Sequence, residues 1–313
     1  LYLRVLGDLW GKDTGLNGGA DYISVDVKSP LCRRYVARIV KDVKVEDSPW
    51  WLQRRLIHAG MRPINNIVDI TNFVMLEYGQ PMHAFDYACL DGKAIVVRNA
   101  DDNEIFMTLD NQQRKLDSSM LVIADAKKSV GIAGVMGGAN SEITENTKTV
   151  VFESANFNGA NVRRTSKKLG MRTDASSKFE KGLDPCMTMA ALDRACELVE
   201  LLEAGEIADG VIDINMDTRV RRTIKLEPAW VNKFLGTDIS SEFMVNALRS
   251  LQFEIDDELN VTVPSFRDDV EEKADLAEEI VRMYGYNEIP STLVNMETTQ
   301  GMLTKEQSLM KKI

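Results

Sequence analysis

From residue 26 onward the chain alternates apolar runs with polar or glycine-marked breaks, and the period of each run identifies an element. Residues 35–40 read as a strand. Pro49 and Trp50 open a helix that runs to about Ala59 and stops at Gly60. Over residues 65–77, Ile67, Ile70, Val74 and Met75 recur at helical spacing, with Gly79 as terminator. Strand runs follow at 94–98, 104–109, 120–124, 130–135 and 149–153. Several are continuously apolar, as strands covered on both faces are. Helical patterns return at 158–169, closed by Gly170, and at 187–202, closed near Gly205. Helices flanking a central run of strands predict one large mixed α/β domain over residues 26–208.

A smaller unit is expected over residues 209–293, after Asp209 and Gly210. Its pattern is a strand at 223–226, a helix at 228–235 ended by Gly236, and a helix at 243–251 behind a Ser240 or Ser241 cap. Alternating runs at 253–256 and 260–263 flank a polar turn, a hairpin signal, and a last helix at 273–284 ends at Gly285. Helix, helix, hairpin is the order of a winged-helix-like α+β domain, so the chain as a whole is read as α+β. That topology serves nucleic-acid binding and protein docking alike and names no function. Residues 1–25, rich in Gly and Asp, read as loop or the remnant of a preceding domain, and residues 294–313 as the start of a linker, with an unfinished amphipathic helix at 303–313. With Leu1 in place of an initiator Met, a fragment of a longer polypeptide is expected.

Composition narrows the function. Across 313 residues, 38 Lys+Arg against 48 Asp+Glu give a net charge of −10, which disfavours a free-standing nonspecific nucleic-acid binder. The acidity is local: residues 251–280 hold 11 acidic and 2 basic residues, a net of −9, so the other 283 sum to −1. No apolar run approaches the roughly 20 residues of a membrane span and no signal-peptide pattern opens the chain, so a cytoplasmic protein without membrane contact is expected. Cys32, Cys89, Cys186 and Cys196 form no CxxC pair and read as buried free thiols; His58 and His83 alone cannot build a three-imidazole site.

Five features carry candidate chemistry. GIAGVMGG (131–138) follows a strand but lacks the phosphate-loop spacings, so its glycines serve tight turns or the close approach of a ligand. Arg163, Arg164, Lys167, Lys168 and Arg172 put five basic residues in ten positions; the first four share a helical face, either solvated or facing an anion such as RNA. His83 in GQPMHAFD has no assignable nucleophile and reads as a packed residue or a catalyst. Glu153 ends the apolar strand TVVFES, where a carboxylate needs a partner, a basic residue or a ligand donor. Asp275, Glu278 and Glu279 stand at i, i+3 and i+4 with Asp269 in the preceding turn, a set that suits Mg²⁺ or merely an acidic helix start.

The strings RPINNIVDITNFVMLEYGQPMHAFD, GIAGVMGG, FESANFNGANVRRTSKKLGMRTDASSKFEKGLDP and PSFRDDVEEKADLAEEIVRMYGY together resemble the beta subunit of bacterial phenylalanine–tRNA ligase, over most of residues 26–293. The resemblance implies that residues 26–208 form an editing domain that hydrolyses tyrosine misattached to tRNA(Phe). It implies a pocket of His83, Gly137, Glu153, Thr173 and Ala175, with Asn72 as a further member; the concentrated basic face at 163–172 leaves room for a tRNA end beside Glu153. Asp269, Asp275, Glu278 and Glu279 become Mg²⁺ ligands at a site shared with the alpha subunit of an α2β2 heterotetramer. ATP and aminoacylation belong to the whole enzyme, tRNA(Phe) is the nucleic-acid partner, and no DNA is expected. The competing expectation is a non-catalytic RNA-binding or subunit-assembly module.

Overall fold

The computed structural model describes residues 22–289, 291 and 301–312. Two compact units divide at Val220 and Arg221. In the first, β10 (Val150–Phe157) is buried at every position. It pairs antiparallel with β2 (Cys32–Lys41) on one edge and β3 (Met82–Asp86) on the other. The far edge of β2 takes β11 (Glu206–Ile207) and β12 (Ile212–Asn215). A second sheet runs β1 (Ser24–Val27), β4 (Ala94–Asn99), β7 (Leu121–Ala124), β8 (Ser129–Ile132), β9 (Met136–Gly137), parallel only at β1–β4. The pair β5 (Ile105–Met107) and β6 (Gln113–Lys115) stands apart as a ribbon.

Because side chains alternate along a strand, β10 divides two cores. Val150 and Phe152 face a cluster with α1 (Trp50–His58), α2 (Asn66–Tyr78) and α5 (Met187–Leu201), through Leu52, Leu56, Ile70, Val74, Leu192 and Leu198. Val151, Ala155 and Phe157 face the other sheet, whose Val97, Val122 and Ile132 complete the second cluster, closed by α3 (Gly159–Leu169) and α4 (Asp174–Phe179) through Val162 and Phe179. Strands buried on both faces at β7, β8 and β10 match the continuous apolar runs.

The helices fall where the apolar period places them, with Asn65 capping α2 from its side chain and Gly79 closing it at φ 74°. Elements that the period does not announce include β1, β3, α4 and β12. MHAFD in β3 is too short and mixed to show a period, and α4, DASSKF, is too short for its apolar pair Ala175 and Phe179 to show one; the capping box of Thr173 and Ser176 starts it. β10 runs beyond Glu153 because Ser154 and Asn156 are buried despite their polarity. The first unit also extends past residue 208: β12 pairs Ile212–Asn215 with Ala37–Arg34, and Arg34 clamps Asp213 at 2.9 and 2.7 Å. Cys32 and Cys196 are buried, whereas Cys89 and Cys186 are exposed, which corrects the reading of four buried thiols.

The second unit is α+β. Its sheet runs β13 (Thr223–Lys225), β15 (Asn260–Thr262), β14 (Glu254–Ile255), and α6 (Pro228–Leu235), α7 (Ser241–Ser250) and α8 (Lys273–Tyr284) cover it in the helix–helix–hairpin–helix order expected. Val231, Met244, Leu248, Phe253, Val261, Leu276 and Ile280 are its core. A short α9 (Lys305–Met310), capped by Thr304, lies within the expected terminal helix. The expected leading loop at 1–21 and the linker at 292–300 lie outside the described residues. Among the described residues no helix is long and apolar enough to cross a membrane.

Phe152 is fully buried in the helix-facing core. Phe152→Ala is expected to lower the stability of the first unit by about 3–5 kcal/mol, measured by urea unfolding.

Candidate functional site

Between the two sheets of the first unit lies a cavity of about 110 Å³, of the order of the roughly 150 Å³ apolar cavity that holds one benzene ring. Its walls are His83 and Phe85 from β3, Ile123 and Ile132 from the second sheet, Gly134–Gly137 around β9, Glu153 and Phe157 from β10, and Ala175 and Phe179 from α4. The sheet register builds it: Glu153 stands opposite His83 on β3 and Ala37 on β2. Two positions along β2, on the same face, Tyr35 reaches back diagonally and donates its hydroxyl to Glu153 Oε2 at 2.7 Å. No other described residue hydrogen-bonds Glu153, so Oε1 is left available to a donor in the cavity. Burial pushes the Glu153 carboxyl up to about 7, partly offset by the Tyr35 hydrogen bond.

His83 packs edge-on against Phe85, with ring centroids 4.5 Å apart. Burial lowers its pKa to about 4, so the imidazole is neutral near pH 7. Gly137 is required by this ring: a Cβ there would stand 2.4 Å from His83 Cε1 and 2.7 Å from Nε2. Gly134 turns the chain between β8 and β9 at φ 69°, with Val162 of α3 and Phe179 of α4 against it. Thus Gly134 of GIAGVMGG serves a turn, and Gly137 the close approach of the His83 ring, which is part of the protein and not a ligand.

Of the six residues expected in the pocket, His83, Gly137, Glu153 and Ala175 line it. Thr173 does not; its hydroxyl donates to Val135 O at 2.8 Å and accepts from Ser176 N at 3.1 Å, so it caps α4 and ties that helix to the pocket wall. Asn72 lies on α2 and is not among the lining residues either. Tyr35 escapes sequence reasoning, which allows the Glu153 carboxylate a basic partner or a ligand donor. The signal is present all the same, since a tyrosine within the buried run CRRYVARIVK needs an acceptor as much as the carboxylate needs a donor.

On the outside of α3, Arg163, Arg164, Lys167, Lys168 and, past Gly170, Arg172 are all exposed. Lys168 pairs with Asp117 at 2.6 Å and Arg172 with Glu180 at 3.5 Å. Arg164, Lys167 and Lys168 line one depression with Leu31, Ser119 and Asn161. The opposite face of the same helix supplies Val162 to the Gly134 turn.

In the second unit the four expected metal ligands do not converge. Asp275 accepts the backbone N–H of Glu271 and Glu272 at 2.8 Å each, capping α8. Asp269 and Glu279 meet at a guanidinium instead, each 2.7 Å from Arg267, and Arg282 also binds Glu279. Arg267 holds both carboxyls below their usual range. Glu278 points to solvent. Among the described residues no group of three or more His, Cys, Asp or Glu is placed to hold a metal ion. These carboxylates, spent on arginines and a helix cap, do not fit a Mg²⁺ ion in this arrangement.

Residues 31–204, more than half of the chain and the whole pocket, match the B3/4 domain. The chain belongs to the B3/4 domain family. The B3/4 domain is followed by a match to the tRNA synthetase B5 domain over residues 224–286. The chain is 51% identical over 296 residues to the phenylalanine–tRNA ligase beta subunit of Clostridium tetani, covering 94% of this chain and 37% of that protein. The corresponding subunit of Bacillus licheniformis is 46% identical over 303 residues, 96% of this chain and 38% of that one. This chain therefore spans a little over a third of these relatives' length. Likeness to the solved N-terminal fragment of the phenylalanyl-tRNA synthetase beta-subunit from Pyrococcus horikoshii is distant, with TM-score 0.41 and 14% identity over 84% of this chain and 75% of that one. The resemblance carried by the four sequence strings thus holds along nearly the whole chain: its B3/4 and B5 domains are the counterpart of part of a phenylalanine–tRNA ligase beta subunit.

The two titratable groups of the B3/4 pocket move stability in opposite directions. Glu153 binds its proton more tightly folded (about 7) than at its ordinary 4.5, so its contribution is present below 4.5 and lost as pH rises through about 7. His83, lowered from 6.5 to about 4, costs stability as pH falls through that window. Glu153→Gln should therefore melt above the parent protein at pH 8 and level with it near pH 4.5; a difference independent of pH in thermal melts would show that Glu153 does not titrate there.

Proposed function

We propose that this chain is part of the beta subunit of a cytoplasmic phenylalanine–tRNA ligase, and that its B3/4 pocket hydrolyses tyrosine misattached to tRNA(Phe). The observation that carries this reading is one buried carboxylate with a spare oxygen on a ring-sized cavity whose other lining side chains, His83 apart, are apolar. A tyrosyl side chain fills the cavity and donates its phenol to Glu153 Oε1. A phenylalanyl ring fills the same space but leaves that oxygen desolvated and unpaired. Sites built to bond a hydroxyl reject the analogue lacking it by up to about 10⁴–10⁵.

The lining residues include no Ser, Thr, Cys or Lys, so water is the nucleophile that suits the pocket. His83 is neutral, and neither of its ring nitrogens is hydrogen-bonded within the described residues, which suits it to orient the ester or the attacking water. Gly137 leaves room for that ring. Aminoacylation, with its ATP and Mg²⁺, is assigned to the alpha subunit of an α2β2 assembly, and docking of that subunit to the B5 domain.

In the complete ligase, deacylation of tyrosyl-tRNA(Phe) is expected to outpace that of phenylalanyl-tRNA(Phe), and Glu153→Ala to cut this ratio by at least 10²-fold. Equal rates in the parent enzyme would sink the editing reading; an unchanged ratio in the variant would remove Glu153 from recognition.

The exposed face of α3 favours an RNA contact beside the pocket, since its inner face forms part of the pocket's support. Replacing Arg163, Arg164 and Lys167 by Gln is expected to weaken tRNA binding and to lower the slope of log affinity against log salt by about 1 for every phosphate no longer neutralised. Filter binding at several salt concentrations measures both. An unaltered slope would leave this face merely solvated.

A further inference from the structure

We propose that Tyr35, outside the pocket lining, is the residue that sets the pocket's selectivity, by tying one oxygen of Glu153 so that the other faces the substrate alone. This deepens the editing reading and rests on it. Tyr35 is fully buried in β2, and its hydroxyl has Glu153 Oε2 as partner at 2.7 Å. The carboxylate rotates about its last bond unless something holds it, and nothing else among the described residues does. With Oε2 occupied, one acceptor remains for one phenol. The carboxylate then sits between two phenols of the same chemistry, one from the fold and one from the substrate.

The tie also controls protonation. While Oε2 accepts from Tyr35, any proton on Glu153 resides on Oε1, the oxygen the substrate meets. An acid there is a donor with little to lose when a phenylalanyl ring arrives, whereas a carboxylate is an acceptor that must be paired. Selectivity for tyrosine should therefore rise with deprotonation of Glu153. The Tyr35 hydrogen bond favours the charged form, so removing it shifts that deprotonation to higher pH.

The other groups that face Glu153 do not titrate in the same range. From β2, burial and the charge of Glu153 raise both the Tyr35 phenol and the Cys32 thiol well above their ordinary values. From β3, His83 is neutral down to about 4. The walls from β7, β8, β9 and α4 are apolar side chains and glycines. The α-amino group of the ester titrates near neutrality, but tyrosyl and phenylalanyl esters share it, so it cancels in the ratio of their rates.

The experiment measures the ratio of tyrosyl- to phenylalanyl-tRNA(Phe) deacylation from pH 5.5 to 9 in the complete ligase, for the parent, Tyr35→Phe, Glu153→Gln and the double variant. In the parent the ratio should rise with a midpoint near 7. In Tyr35→Phe the midpoint should move up by about one pH unit, as loss of a hydrogen bond to a charged group implies. Against Glu153→Gln the same substitution should change nothing further. Tyr35→Phe keeps the ring that fills the core, and Tyr35→Met serves if a melt shows the first variant unfolded. A Tyr35→Phe profile superimposed on the parent's, or an equal effect in both backgrounds, overturns the role of Tyr35 and leaves editing standing. A parent enzyme without tyrosyl preference overturns the editing reading itself.

Discussion

A strand closed on both faces and paired on both edges has no solvent to which a side chain can retreat, and β10 is such a strand. Whatever it carries must be packed or hydrogen-bonded where it stands. One face places Val150 and Phe152 among three helices, and the other places Glu153 between two sheets. Desolvation of that carboxylate is opposed by one hydroxyl and by a cavity. The pocket is thus the local solution to a charge at the centre of the sheet, and the positions of β2, β3, β9 and α4 can each be understood by what they bring to it. β2 brings the donor, β3 the imidazole, β9 the side-chain-free backbone of Gly137, and α4 the small Ala175.

Much of this frame is legible from apolar periodicity, because helices α1, α2, α3, α5, α7 and α8 each carry a buried stripe, and all but α5 have a capping or terminating residue. The parts that escape share a physical reason. β3 and α4 are short, and their sequences are set by the pocket instead of by a repeating core face. β12 belongs to the first unit through pairing with residues more than 170 positions earlier, and no local pattern records such a partner. Of the four expected residues that do line the pocket, the residues alone single out Glu153, His83 and the glycine run that holds Gly137; joining them in one pocket, and adding Ala175, depends on the family resemblance.

The same limit separates the two carboxylate groups. Helical spacing puts Asp275, Glu278 and Glu279 on neighbouring positions of α8, but spacing does not say which charge each one meets. Glu279 is buried and takes two arginines, Asp275 turns back to the helix start, and Glu278 stays in water. A buried carboxylate left without Arg267 would carry the full desolvation penalty, so the guanidinium is as much a part of this domain's architecture as its apolar core. In the first unit a neutral phenol fills the corresponding place beside Glu153. A phenol leaves the carboxyl high and able to exchange its proton near neutrality, and a guanidinium keeps it permanently ionised.

The pairing of β12 with β2 reaches further than the position of a domain boundary. β2 is ten residues long, and on the side away from β10 its backbone groups at residues 34–37 are satisfied, among the described residues, only by a segment that leaves the ribosome some 175 residues later. Until then the nascent unit presents the edge of an apolar strand, the kind of template onto which another chain can add. Protection of this edge is therefore completed by a late segment, and any piece of this protein ending before residue 212 would display that edge permanently.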